Sequence, residues 1–116
     1  MPWMMNEEKR DSYFRKLVAN ARAIISYQVG LPVGCVKMTH LFYWLENEGE
    51  KLDYPIFGEY LEKVRDIPTG SERLGCSRAA LRRYDERLVP VNLEYRERII
   101  DACFAIVERF AMGKPE

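Results

Sequence analysis

Residues 30–47 read GLPVGCVKMTHLFYWLEN, and the reading of this stretch decides the fold. Gly30 is a natural stop for a preceding helix, and Pro32 suits the opening turn of the next one. Gly34, Met38, Leu41 and Leu45 then fall on one face at helical spacing, flanked by Phe42. The pattern predicts a helix from Pro32 to about Asn47. Gly34 lowers helix propensity at a core-facing position, which predicts that another helix approaches closely there.

The same periodicity extends to both sides. Upstream, Asn6 can cap a helix, and Glu7, Glu8 and Asp11 suit its positive end. Tyr13/Phe14, Leu17, Ala21, Ile24 and Gln28 recur at helical spacing, with Val18 and Ile25 widening the stripe. Downstream, residues 46–53 (ENEGEKLD) break the period and read as an exposed acidic loop. A short third helix is expected from Pro55, burying Phe57, Tyr60/Leu61 and Val64. Residues 66–75 (DIPTGSERLG) form a loop punctuated by Pro and two Gly. Ser77 caps a fourth helix with Leu81, Tyr84 and Leu88 on one face. Pro90 is expected to open a last helix that buries Ile99, Cys103, Ile106 and Phe110, with Gly113 and Pro115 ending it. No alternating run marks a strand, and short loops favour antiparallel neighbours. The expected fold is all-α: a compact antiparallel bundle of four to five helices, one helical domain over residues 1–116.

Bulk composition narrows the function classes. With 116 residues, 18 Lys+Arg and 18 Asp+Glu, the chain is one domain of zero formal charge. A domain of this size buries roughly two-thirds of its unfolded surface and needs neither disulfide nor metal. Zero net charge argues against a general nucleic-acid coat protein. Cys35, Cys76 and Cys103 are odd in number and widely spaced beside apolar helical patterns, which reads as reduced thiols in a cytoplasmic protein. The short apolar run Met1-Pro2-Trp3-Met4-Met5 is followed at once by charges, which argues against secretion and membrane spanning. Trp3 and its methionine neighbours are expected to cover the bundle end; an interaction tip is the alternative.

Charge is unevenly distributed. From Glu46 to Asp66, seven acids stand against three bases, a formal −4. From Glu72 to Arg87, five arginines stand against three acids, a formal +2. The first segment suggests an acidic face that docks on a basic partner, steering association. Solvated surface with bridges between neighbouring helices is the plainer reading of the same pattern.

Residues 74–84 (LGCSRAALRRY) look like the turn and recognition helix of a helix-turn-helix protein, with Arg78, Arg82 and Arg83 reaching nucleic acid. The preceding helix is missing from the pattern, because Gly70 and Ser71 occupy the places of buried residues. His40, with Tyr43 and Trp44 three and four positions on, has no local partner for general-base work and reads as a buried or rim histidine with an ordinary hydrogen bond. No Cys-x-x-Cys or His-x-x-x-His pair supports a metal site. Glu94, Glu97 and Asp101 lack the Glu-x-x-His partners of a di-metal bundle, and the interleaved Arg96, Arg98 and Arg109 explain them by pairing within the helix.

Two sets of residues carry a family resemblance. One is Ala21-Arg22-Ala23-Ile24-Ile25, then Gly34-Cys35, Met38, Leu41 and Leu45. The other is Ile67-Pro68-Thr69-Gly70-Ser71-Glu72-Arg73, then Ala80-Leu81, Asp85 and Ile100-Asp101-Ala102-Cys103. In this order the chain resembles, from about Ala21 to Phe110, a family of small all-helical bacterial proteins of unassigned function. Some proteins of this kind look like immunity proteins, which neutralise a toxin by direct binding. The resemblance supplies no catalytic residues. It implies a structural Arg73, capping helix carbonyls or pairing with an acid across the bundle.

The leading expectation is a non-enzymatic immunity protein without cofactor or metal, occluding a cognate toxin, of which a nuclease is one kind. Glu46, Glu48, Glu50 and Asp53 would meet the toxin's basic cleft, with Tyr54 as aromatic anchor. The alternatives are a nucleic-acid-binding regulator using Arg78, Arg82 and Arg83, and a structural or adaptor domain. Oligomeric state is left open.

Overall fold

Helix α1 runs from Pro2 to Ile25 in the computed structural model, which describes residues 2–111, and side chains from residue 8 onward. It begins about a turn before the expected Asn6 cap. Proline at a first helical position forfeits only an N–H that has no partner there. It also ends earlier than the expected stop at Gly30. Tyr27 adopts φ 63°, the left-handed conformation usually left to glycine. Tyr27 N–H bonds Ile24 O at 3.2 Å and Gln28 N–H bonds Ala23 O at 2.9 Å, so the carbonyls of the last turn are satisfied without Gly30.

Helix α2, Leu31–Asn47, follows with Pro32 in its first turn. It closes on Gly49 at φ 96°, with Glu50 N–H on Leu45 O at 3.1 Å and Gly49 N–H on Glu46 O at 3.0 Å. The close approach expected at Gly34 is present. A Cβ there would stand 2.6 Å from Ile24 Cγ1, and Asn20 Nδ2 of α1 donates to Gly34 O at 3.0 Å.

Helix α3, Ile56–Lys63, is the expected short element, with Phe57, Tyr60 and the following Val64 buried. A 3-10 turn, Ser71–Gly75, interrupts the connection to helix α4, Arg78–Ala111. Ser77 caps α4 as expected, its Oγ accepting Ala80 N–H at 3.1 Å.

The expected break at Pro90 does not occur. Residues 78–111 form one helix of 34 residues, with Pro90 inside it. Pro90 is exposed, so the carbonyl that loses its helical donor lies toward solvent and water can satisfy it. The bundle therefore has four helices among the described residues, and no strand.

Side-chain contacts fix the topology. Phe14 stacks on Phe110 at 4.9 Å, and Arg96 lies over the Tyr27 ring at 5.3 Å, so α4 descends as α1 rises. Phe42 meets Phe57 edge-on at 5.6 Å, and Tyr60 donates to Asn92 Oδ1 at 2.6 Å. The helices alternate in direction around a core of Leu17, Ala21 and Ile24, then Cys35, Met38 and Leu45, Phe57 and Tyr60, and Ile99, Cys103 and Ile106.

At 1.5 Å per residue α4 is about 51 Å long, which matches the 52 Å longest extent of the molecule. Its buried residues begin only at Tyr95. The first half is packed less deeply: Tyr84, Leu88 and Val91 lie half-buried against the core, and the α3–α4 connection pairs with it through Arg73–Asp85 (3.1 Å) and Arg87–Asp66 (2.8 Å). Met1, Trp3, Met4 and Met5, expected to cover the bundle end, and Gly113 and Pro115, expected to end the last helix, fall outside the described residues or side chains.

Candidate binding surface

The end of α2 and the loop to α3 carry most of the expected binding residues. Glu46 lies in the last turn of α2 and is exposed; Asp53 in the loop is also exposed. Glu48 is the C-cap residue and is half-buried. Glu50 is already engaged by Arg10 of α1 in an ion pair. Tyr54 is half-buried: its ring stacks on Phe42 at 5.7 Å and its hydroxyl accepts from Arg109 Nη1 at 3.3 Å. The structure thus puts Glu46 and Glu48 at the end of α2 and Asp53 in the loop that follows, and gives Glu50 and Tyr54 intramolecular roles.

The most exposed aromatic groups of α2 are Tyr43 and Trp44, 61% and 48% exposed. Tyr43 lies on the side of α2 away from Leu41, Phe42 and Leu45, with exposed His40 and Asn47, and Trp44 lies on the flank toward α1. Their rings are 5.8 Å apart and close to perpendicular, and Trp44 also stacks on Tyr13 of α1 at 6.1 Å. Glu46 follows Tyr43 by three positions and Glu48 follows Trp44 by four, so each ring has a carboxylate one helical turn further on. The sequence holds the signal for this patch. Two large aromatics, Tyr43 and Trp44, fall outside the apolar stripe of Met38, Leu41 and Leu45.

Three features of the patch favour a cation. Ring faces carry negative quadrupolar potential, carboxylates carry full charge, and the C-terminal end of a helix carries partial negative charge. The cluster already holds one within the chain, with Lys16 Nζ 5.9 Å from the centre of the Tyr13 ring.

The arginines of the alternative nucleic-acid reading sit at the far pole. Arg78, Arg82 and Arg83 are all exposed on the first half of α4 and make no ion pair among the described residues. Glu86 lies beside Arg82 and Arg83 on the same helical surface. The element before them is the 3-10 turn Ser71–Gly75, so the first helix of a helix-turn-helix is missing, as its sequence suggested. Arg73 pairs with Asp85, one of the structural roles expected of it.

His40 is exposed, which corrects the buried form of its reading and leaves the rim form. It lies on the solvent side of α2 because the apolar period of that helix runs through Met38, Leu41 and Leu45. Cys35 and Cys103 are buried free thiols, both pushed up to about 12 by burial, Cys35 also by neighbouring Cys103. Cys76 is half-exposed in the α3–α4 connection. Among the described residues no group of three or more His, Cys, Asp or Glu is placed to hold a metal ion. Among them, too, no helix is long and apolar enough to cross a membrane.

Residues 4–106 match the sequence profile of DUF2489, described as a protein of unknown function. No curated protein and no solved structure matches the chain. With the profile spanning most of its length and covering α1 through nearly the whole of α4, the chain belongs to the DUF2489 family.

Proposed function

We propose that this protein is a non-enzymatic binding module whose partner is a protein presenting basic side chains. The observation that carries the reading is the pair Tyr43 and Trp44, exposed on α2, each with a carboxylate one turn on at the end of the helix. A lysine or arginine of the partner would lie against the rings and between Glu46 and Glu48. Exposed aromatics bring contact area at low entropic cost and commonly dominate binding energy. Asp53 adds charge at the rim and speeds encounter.

In its most specific form the partner is a toxin, and the acidic rim occludes a cleft that otherwise holds phosphate groups. Support for that form is the carboxylate rim together with the resemblance to immunity-like proteins. The test is co-purification with the product of the adjacent gene, followed by assay of that product's toxic activity. A molar excess of this protein is expected to abolish the activity; undiminished toxicity would dismiss the toxin-blocking form.

A second reading rests on a separate observation: Arg78, Arg82 and Arg83 are all exposed on the first turns of α4. Such a surface suits phosphate contacts. Filter binding against salt separates the two readings. A nucleic-acid binder loses affinity steeply as salt rises, whereas the rim reading predicts no specific nucleic-acid complex.

A further inference from the structure

Away from the rim, α1 and the C-terminal end of α4 enclose an open groove of about 680 Å³. Its size is within the range of pockets that hold small organic molecules, about 300–1,000 Å³. The floor is apolar. Phe14 and Phe110, stacked at 4.9 Å, form one end of it, and Val18 continues it along α1.

The walls are cationic. Arg10, Arg15 and Arg22 from α1 and Arg109 from α4 line the groove, and Asp11 is the sole acid among the lining residues, a formal +3 in a chain whose total charge is zero. Arg15, Val18 and Arg22 follow one another at helical spacing, so guanidinium groups and apolar floor run along the same ridge of α1. Arg10 is anchored by Glu50, and its Nε is buried with no partner among the described residues. Arg109 is anchored over the Phe110 ring at 4.6 Å and by the Tyr54 hydroxyl. Arg15 and Arg22 are exposed. Two guanidinium groups are therefore preset at one end, and two are free to turn toward a ligand.

We propose that this groove binds an amphipathic organic anion, with a carboxylate or phosphate head held by the arginines and an apolar body lying on Phe14, Val18 and Phe110. The guanidinium fork matches both head groups, which is why four arginines together favour an oxyanion over a generic negative charge. The stacked aromatic floor requires more than a bare ion. A simple inorganic anion leaves Phe14 and Phe110 uncovered and forgoes the burial that an apolar body supplies.

Isothermal titration of the full chain with decanoate and with decyl phosphate, each below its micelle concentration, tests this. Decyltrimethylammonium, inorganic phosphate and the variant Arg15→Gln/Arg22→Gln serve as the comparisons, with circular dichroism confirming that the variant is folded. The expected result is saturable one-to-one binding of either decyl anion. The cation of equal chain length and inorganic phosphate should each bind at least about a hundredfold more weakly. The double variant should lose about tenfold in affinity, because two charge-assisted contacts are removed from a partly exposed site. The relative strength of decanoate and decyl phosphate identifies the preferred head group. Equal binding of the cation, equal binding of inorganic phosphate, unchanged affinity in the folded double variant, or no saturable binding would each overturn the proposal.

Discussion

Replacing Gly34 by alanine sets two physical effects against each other, and the structure decides the sign. On propensity alone, alanine in a helix gains about 1 kcal/mol over glycine. The new Cβ, however, would lie 2.6 Å from Ile24 Cγ1 and 2.9 Å from Ile24 Cδ1, with Val29 Cγ1 at 3.3 Å. Favourable carbon contacts lie near 3.5–4.0 Å, so an overlap of roughly 1 Å must be relieved. Ile24 is buried at 2% exposure and has little room to turn aside. Overpacking of this kind costs about 1–3 kcal/mol. If α1 and α2 separate instead, the Asn20–Gly34 hydrogen bond of 3.0 Å lengthens, at about 1 kcal/mol. The net expectation for Gly34→Ala is a loss of up to about 2 kcal/mol, seen in urea as a lower midpoint with unchanged slope. The decisive control is the same substitution in an Ile24→Ala background, where both clashing carbons are gone. There Gly34→Ala should be neutral or stabilising, giving a coupling of at least about 1 kcal/mol between the two positions. A more stable Gly34→Ala protein, or a coupling near zero, would refute the claim that the α1–α2 seam is set by this glycine.

Other consequences can be checked with equal economy. Tyr60→Phe removes the 2.6 Å bond to Asn92 Oδ1 while keeping the buried ring, and should cost about 1 kcal/mol in urea unfolding. Thiol labelling of the native protein at pH 8 should modify Cys76 rapidly and Cys35 and Cys103 only on opening, because burial pushes those two thiols up to about 12; three equally fast thiols would contradict the packing. Asp66 is held below its ordinary carboxylate range chiefly by the hydrogen bond from Arg87. Its contribution to stability is therefore present above the unfolded pKa and fades as pH falls through the lower folded one. Asp66→Asn should lower Tm slightly at pH 7, with the difference from the parent shrinking as pH falls below the ordinary carboxylate range.

Much of the fold was legible because apolar period and turn chemistry agreed. Gly34, Met38, Leu41 and Leu45 marked α2, Ser77 marked the start of α4, and Phe57 with Tyr60 marked α3. Pro90 misled because proline is costly inside a helix only where its lost hydrogen bond and ring are confined, and here the residue faces solvent. Gly30 misled because Tyr27 takes up the left-handed turn instead, three residues earlier. At the rim the net charge of the 46–53 loop was readable, but the partners of individual groups were not. That Arg10 consumes Glu50, and that Phe42 holds Tyr54, follows from a helix forty residues upstream and from core packing across α2 and α3. Tyr43 and Trp44 were within reach of the same helical wheel that placed Leu41 and Leu45.

The most direct test of the central claim is capture of the binding partner from the native host by three forms of the protein. These are the unaltered chain, Tyr43→Ala/Trp44→Ala/Glu46→Lys, and Arg78→Ala/Arg82→Ala/Arg83→Ala. All altered positions are exposed, so each form should stay folded. A protein retained by the unaltered chain and by the arginine variant, and lost from the rim variant, is the predicted result. Equal retention by the rim variant would contradict it.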